Sequence, residues 1–422
     1  MRGLIVPCPN CRAGSVPVKP RMHHVVLVPG FFGFGALGDL NYFAGVTETL
    51  TAEFKRRYLP VRVVEVPTLP TASIRHRAAT VLETLADVAR RDDGPIHVIA
   101  HSTGGLDARL AIAPTASLPT SVGFKLYDRI CALVTIATPH FGTPLASFFS
   151  SAMGYPLLRS IASIGGAALE HGQLPLAAVL RLGKLIFRLD DWIGLSGTFA
   201  DEIYADLLED FNDDRRQEVI DFLRGVSHDQ SLVFQLTPAA CDLLNACTAD
   251  PTGVRYGSVV TRGNRPSPWT FVRHGSNPYA QYLYALYSIL HLIAGSGDGR
   301  FFPRPVETQC PALERAFGVV PSHRDSDGIV PTLSQVWGEV IHAARADHLD
   351  VVGHFGNRRP GRAQSDWLPS ASGFDEAAFH ALWASVAEFV TRRAREEPHQ
   401  SVHNVGTVRT DLDAEQATKV VQ

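Results

Sequence analysis

Pro95-Ile96-His97-Val98-Ile99-Ala100-His101-Ser102-Thr103-Gly104-Gly105 is an apolar run that ends on a serine among small residues. A helical pattern, Leu106-Asp107-Ala108-Arg109-Leu110, begins at once. A strand that turns directly into a helix at a serine has the form of a nucleophile elbow, whose sharp, strained turn lifts the hydroxyl above the sheet edge. The residues two before and two after such a serine are expected to crowd each other and so to be small. Here they are Ala100 and Gly104. Gly is more usual at the first of these, and one extra methyl is expected to fit. The plainer account is that small residues close a strand and a serine caps a helix. The rest of the chain decides between the two.

Outward from this point, strand and helix patterns alternate. His24 to Pro29 and Val61 to Val66 read as buried strands. Ser73 to Arg90 has helical spacing, with apolar positions at Val81, Leu82, Leu85 and Val88. The elbow helix runs to about Ile112, and Arg129 to Ala137 is another apolar strand. This order predicts an α/β fold with a mostly parallel central sheet and helices on both faces. Ligands bind beyond the carboxyl ends of strands in such sheets. Gly30, Ser102 and Pro139 each fall just past a strand end and are expected to gather on one edge.

From Leu145 to about Leu236 the pattern becomes helical and strongly apolar, which reads as an insertion over that edge. The expected organisation is an N-terminal extension over 1–21, a core over 22–146 and 232–396, and a helical lid or cap over 147–231. A second insertion near 262–320 carries an aromatic helix from Tyr279 to Leu292 and follows a strand at Val254 to Val260. Core packing is the rival reading of both insertions. Residues 397–422 are polar and without periodicity and are expected to be disordered.

Composition limits the function. With 422 residues, 45% of them hydrophobic and 19% charged, the chain can bury a large core. A net charge of -3 argues against a nucleic-acid partner, which calls for a basic patch. No run of uncharged apolar residues is long enough to predict a transmembrane helix. Met1 to Lys19 lacks the apolar core of a signal peptide, so a cytoplasmic location is expected. Cys8-Pro9-Asn10-Cys11 has no second ligand pair at zinc spacing and no thioredoxin-like context. It is read as incidental, with metal and redox roles as the alternatives. Cys131 is read as buried packing.

A serine nucleophile needs a base, a group that orients the base, and donors for an oxyanion. In chain order an acid and then a base should follow Ser102. Asp325-Ser326-Asp327-Gly328-Ile329-Val330-Pro331 offers the acid, and Asp327 is preferred to Asp325 because it stands at the turn itself. Ala346-Asp347-His348-Leu349-Asp350 offers the base, with His348 preferred to His354 and His342. His101 and His140 are read as support. Glycines in Val28-Pro29-Gly30-Phe31-Phe32-Gly33 let the backbone turn one amide toward the serine. The expected oxyanion donors are the amides of Phe31 and Thr103. A phosphate loop is excluded there, since no Gly-Lys-Ser/Thr ending follows and Phe31-Phe32 would crowd a phosphate.

With V-P-G-F-F-G-F, A-H-S-T-G-G-L, V-T-I-A-T-P-H-F-G-T-P-L-A, S-D-G-I-V-P and D-H-L-D-V-V-G-H-F, the chain resembles bacterial triacylglycerol lipases and esterases of the α/β-hydrolase fold. The resemblance covers about 22–146, 232–262 and 325–356 and leaves out the insertions and tails. It implies Ser102, Asp327 and His348 as a triad and Phe31 as an oxyanion donor. Many such lipases also hold calcium through the residue matching Asp350 and a later Gln. Here His354 stands at the later place, Asp298 is the one other partner considered, and no metal or cofactor is expected.

The expectation is a serine hydrolase of carboxylic esters with medium to long acyl chains, its apolar insertion meeting a lipid interface. Phe31, Phe32, Phe34, Phe141, Phe148 and Phe149 lie near the expected rim. The rivals are an acyltransferase, thioesterase or polyester depolymerase with the same triad, and a non-catalytic lipid-binding protein.

Overall fold

The computed structural model describes residues 21–31, 42–68, 72–122, 126, 129–151, 231–273, 278–356, 366 and 368–392. The N-terminal extension with Cys8 and Cys11, nearly all of the 147–231 insertion, Phe32, Phe34 and the 397–422 tail lie outside them.

Six parallel strands form the centre: β1 (His23–Val28), β2 (Val61–Glu65), β3 (Ile96–His101), β4 (Ile130–Ile136), β5 (Arg255–Arg262) and β6 (Glu339–Arg345). Their order across the sheet is β2-β1-β3-β4-β5-β6, parallel at every pairing. All carboxyl ends therefore lie along one edge, where Gly30, Ser102 and Pro139 follow β1, β3 and β4. The expected α/β class and parallel sheet are borne out.

Side-chain alternation sends successive residues of a strand to opposite faces. Val25 and Leu27 of β1 join Leu50 and Phe54 of helix α1 (Val46–Arg56) on one face. Val26 and Val28 join Val81 and Leu85 of α2 (Ile74–Ala89) and Ala108 and Ile112 of α3 (Gly104–Ile112) on the other. Covered on both sides, the inner strands need apolar residues at every position. That is why they read as continuous runs. α2 starts where Ser73 caps it, its Oγ accepting from the His76 amide at 3.4 Å.

Among the described residues four short helices follow: α4 (Pro144–Phe149), α5 (Ser231–Gln235), α6 (Pro238–Cys247) and α7 (Pro268–Arg273). The aromatic helix expected in the second insertion is α8 (Pro278–Ala294), and α9 (Cys310–Phe317) packs beside β6. α10 (Glu376–Thr391) completes the first face with Trp383 and Val386. Among the described residues, no helix is long and apolar enough to cross a membrane.

Candidate active site

Ser102 has φ of +54°, in the left-handed region that side chains other than glycine avoid. Such a residue costs of order 1–3 kcal/mol and persists only where its surroundings hold it. Here the Ser102 amide donates to the Ile136 carbonyl at 2.8 Å, and its carbonyl accepts from Gly105 at 3.0 Å as α3 begins. A Cβ on Gly104 would lie 2.5 Å from the Val28 carbonyl oxygen and 2.6 Å from that of Pro29. The tightest crowding is thus against the end of β1, where the sequence led us to expect it between Gly104 and Ala100. Gly30 makes the matching approach from β1, since a Cβ there would stand 2.6 Å from Ser102 Cβ.

The structure brings Ser102, His348 and Asp327 into one hydrogen-bonded line. His348 Nε2 lies 2.8 Å from Ser102 Oγ, and His348 Nδ1 lies 2.8 Å from Asp327 Oδ2. All three side chains are buried. A carboxylate accepts, so Nδ1 carries the ring proton and Nε2 is left to accept from the hydroxyl. The main chain ties the two loops together, His348 donating to the Asp327 carbonyl at 3.1 Å.

Asp327 is held from every side. Its Oδ1 accepts from the amides of Ile329 and Val330 at 2.9 and 2.8 Å. Its Oδ2 also accepts from Thr261 Oγ1 at 2.8 Å and Gln335 Nε2 at 3.2 Å. The alternates do other work. Asp325 pairs with Arg262 and Arg265 at 3.0 and 3.2 Å. His342 lies on β6 and bonds Ser385 at 3.0 Å, while His354 donates to the Tyr42 carbonyl at 3.1 Å. His140 stacks on Trp337 with centroids 5.0 Å apart and bonds Thr135 at 3.0 Å.

Thr103 stands at the start of α3, and Phe31 lies in the turn after β1. Behind that turn Arg77 Nη2 donates to the carbonyls of Pro29 and Gly30 at 2.9 and 3.2 Å. The Gly30 carbonyl and the Phe31 amide share one rigid peptide plane, so fixing the one orients the other. Arg77 is itself paired with Asp107 at 2.8 Å, both side chains fully buried. Burial pushes the Asp107 carboxyl up to about 6 against the pull of Arg77. The sequence reading missed Arg77, Thr261, Gln335 and Tyr42. Arg77 alone carried a signal, as a charge on a helix whose neighbours Ala78 and Val81 are buried.

Beside His348, carboxylate oxygens of Asp347, Asp350 and Asp366 lie within 4.8 Å of one another. Burial and the Asp350 charge hold Asp347 well above the usual carboxylate range. Burial, with Asp366 next, pushes Asp350 up to about 7, and burial, with Asp347 next, pushes Asp366 to about 8. Asp366 Oδ1 is buried with no hydrogen-bond partner. Hard oxygen donors in this arrangement fit a divalent cation such as calcium. The set differs from the one the resemblance implies. His354 is engaged with Tyr42, and Asp298 with Arg300 at 2.6 Å.

An apolar cluster adjoins the same edge. Leu145 of α4 packs with Leu283, Tyr287 and Leu290 of α8, and Phe148, Phe149, Ile329 and Leu349 lean on it. Ile329 and Leu349 are close neighbours in sequence of Asp327 and His348. Phe141 turns instead to Trp337, 5.7 Å between centroids.

Residues 19–175 match the family described as "Putative serine esterase (DUF676)". That match bears out the expected resemblance to ester-cleaving serine hydrolases over that stretch. No curated protein matches the chain. Among solved structures, lipase 1 from Pelosinus fermentans is similar at 18% identity and a TM-score of 0.48, over 89% of this chain and 100% of that one. Staphylococcus hyicus lipase is similar at 15% identity and a TM-score of 0.47, over 90% and 98%. The metagenomic carboxyl esterase MGS0156 is similar at 18% identity and a TM-score of 0.43, over 92% and 81%.

Proposed function

We propose that this protein is a carboxylic ester hydrolase of the lipase and esterase type, with Ser102 as nucleophile, His348 as base and Asp327 as the group that orients it. The observation that carries this reading is the unbroken line from Ser102 Oγ through the His348 ring to Asp327, 2.8 Å at each link, raised on a positive-φ turn.

His348 Nε2 takes the Ser102 proton as Oγ attacks the ester carbonyl, and the amides of Phe31 and Thr103 bind the resulting oxyanion. The intermediate collapses as His348 returns the proton to the leaving alkoxide, which departs as alcohol. Water, deprotonated by His348, attacks the acyl-enzyme. His348 then returns that proton to Ser102 as the carboxylic acid leaves. Asp327 keeps Nδ1 protonated and offsets the imidazolium charge throughout.

Asp347, Asp350 and Asp366 would hold a divalent cation, which would neutralise their charge and brace the loop that carries His348. The partly buried Phe148, Phe149, Ile329 and Leu349, two of them close to Asp327 and His348 in sequence, support medium to long acyl chains, since apolar surroundings favour an apolar substrate.

Labelling with a fluorophosphonate, followed by turnover of p-nitrophenyl esters of graded chain length, tests this. We expect one adduct on Ser102, and loss of turnover by on the order of a million-fold in Ser102→Ala. Rates should rise from acetyl to longer chains. Ser102→Ala that still hydrolyses the esters removes the reading, and rates that peak on acetyl remove its acyl-chain part.

A further inference from the structure

His101 precedes the serine, is fully buried, and is not used by the reaction above. Its Nε2 lies 2.9 Å from the carbonyl oxygen of His348, and its Nδ1 lies 2.7 Å from Tyr42 Oη. Gly30 donates its amide to the same Tyr42 oxygen at 2.9 Å. A carbonyl only accepts, so Nε2 carries the proton and Nδ1 of the neutral ring accepts. Tyr42 must then donate to Nδ1, and its lone pair receives the Gly30 amide. Every donor in the chain is thereby assigned: Gly30 N–H to Tyr42 Oη, Tyr42 O–H to His101 Nδ1, and His101 Nε2–H to the His348 carbonyl.

Building on the esterase reading, we infer that Tyr42 and His101 are positioning residues. Together they form one hydrogen-bonded tie between the turn that supplies the Phe31 amide and the loop that supplies the base. One end fixes the Gly30 amide nitrogen, one bond from the peptide plane that carries the Phe31 amide. The other end fixes the backbone of His348 itself. The middle is bonded through the chain to Ser102. The tie sets the distance between oxyanion donor and base, a distance that matters most when charge develops on both. It should therefore act on the transition state and leave ground-state binding alone.

Two supporting facts fit this arrangement. Burial, and next the facing His348 ring with centroids 4.8 Å apart, keep His101 neutral, so it adds no positive charge beside the base. Burial also raises the Tyr42 phenol, which keeps the proton it must donate.

The test uses the full chain with a p-nitrophenyl ester, active sites being counted by fluorophosphonate titration. Tyr42→Phe removes only the hydroxyl. His101→Gln keeps a donor at the reach of Nε2 and loses the acceptor that Tyr42 needs. Both cut the same link, so each should lower kcat per titrated site about tenfold with KM within about twofold. The double variant should be no slower than either single one. Losses that multiply in the double variant overturn the inference. So does a fall confined to KM or to the fraction of titratable sites, which is what a purely structural role would give. Wild-type protein that takes no label at Ser102 removes the esterase reading and this inference with it. Labelled wild type with unaffected variants removes this inference alone.

Discussion

Both carboxylate oxygens of Asp327 are fully engaged, and they act on His348 in two ways. Oδ2 accepts the hydrogen bond from Nδ1, and both oxygens hold still because Thr261, Gln335 and two amides hold them. Asp327→Asn keeps the shape but presents a donor to Nδ1, favouring the wrong tautomer. We expect kcat to fall on the order of ten-thousand-fold with the fold intact, and a loss under tenfold would count against the assigned role. Gln335→Leu removes one donor and should cost about tenfold in kcat, read on the same assay. Ser102, Asp327 and His348 were legible because each sits in a short local word whose backbone form is set by its neighbours. Thr261, Gln335 and Tyr42 were not. Thr261 and Tyr42 meet their partners across 66 and 59 positions, Gln335 stands just past the word that holds Asp327, and a lone Thr, Gln or Tyr carries no local mark of its partner.

At the scale of elements, α3 and β1 meet with no room to spare. Gly104→Ala would place a methyl against backbone oxygens of Val28 and Pro29, which cannot swing aside as a side chain could. We expect a loss of about 1–3 kcal/mol in urea unfolding and a larger loss of activity, because the shift passes directly to the elbow. Arg77 of α2 is the other brace. Arg77→Met should cost about 3–5 kcal/mol, since Asp107 is left as an unpaired buried charge, and Arg77→Met with Asp107→Leu should recover much of it. Chemical denaturation of the pair of variants checks both statements. The inner strands were readable as apolar runs because helices cover both their faces. β6 was not, because its Glu339–Arg345 stretch, half-buried through its middle and with charges at both ends, shows neither a run nor clean alternation.

Over the whole molecule, stability should carry the mark of the aspartate cluster. Asp350 and Asp366 hold protons up to about 7 and about 8 when folded, well above the range of an unfolded Asp. The native state therefore binds more protons than the unfolded one between about pH 4 and 8, and stability falls as pH rises through that window. In chelator, Tm should drop between about pH 5 and 8, calcium should restore more of it at the upper end, and Asp366→Asn should flatten the slope. An unchanged slope in that variant would place its source elsewhere. The parallel sheet has a consequence in time as well as in space. Ser102 and His348 are separated by 246 positions along the chain, and β6 joins the sheet through β5 alone. Contacts of such span close late in folding. On dilution from denaturant, helical circular dichroism should return well before esterase turnover. The interval between the two signals is the time the chain takes to find its last strand.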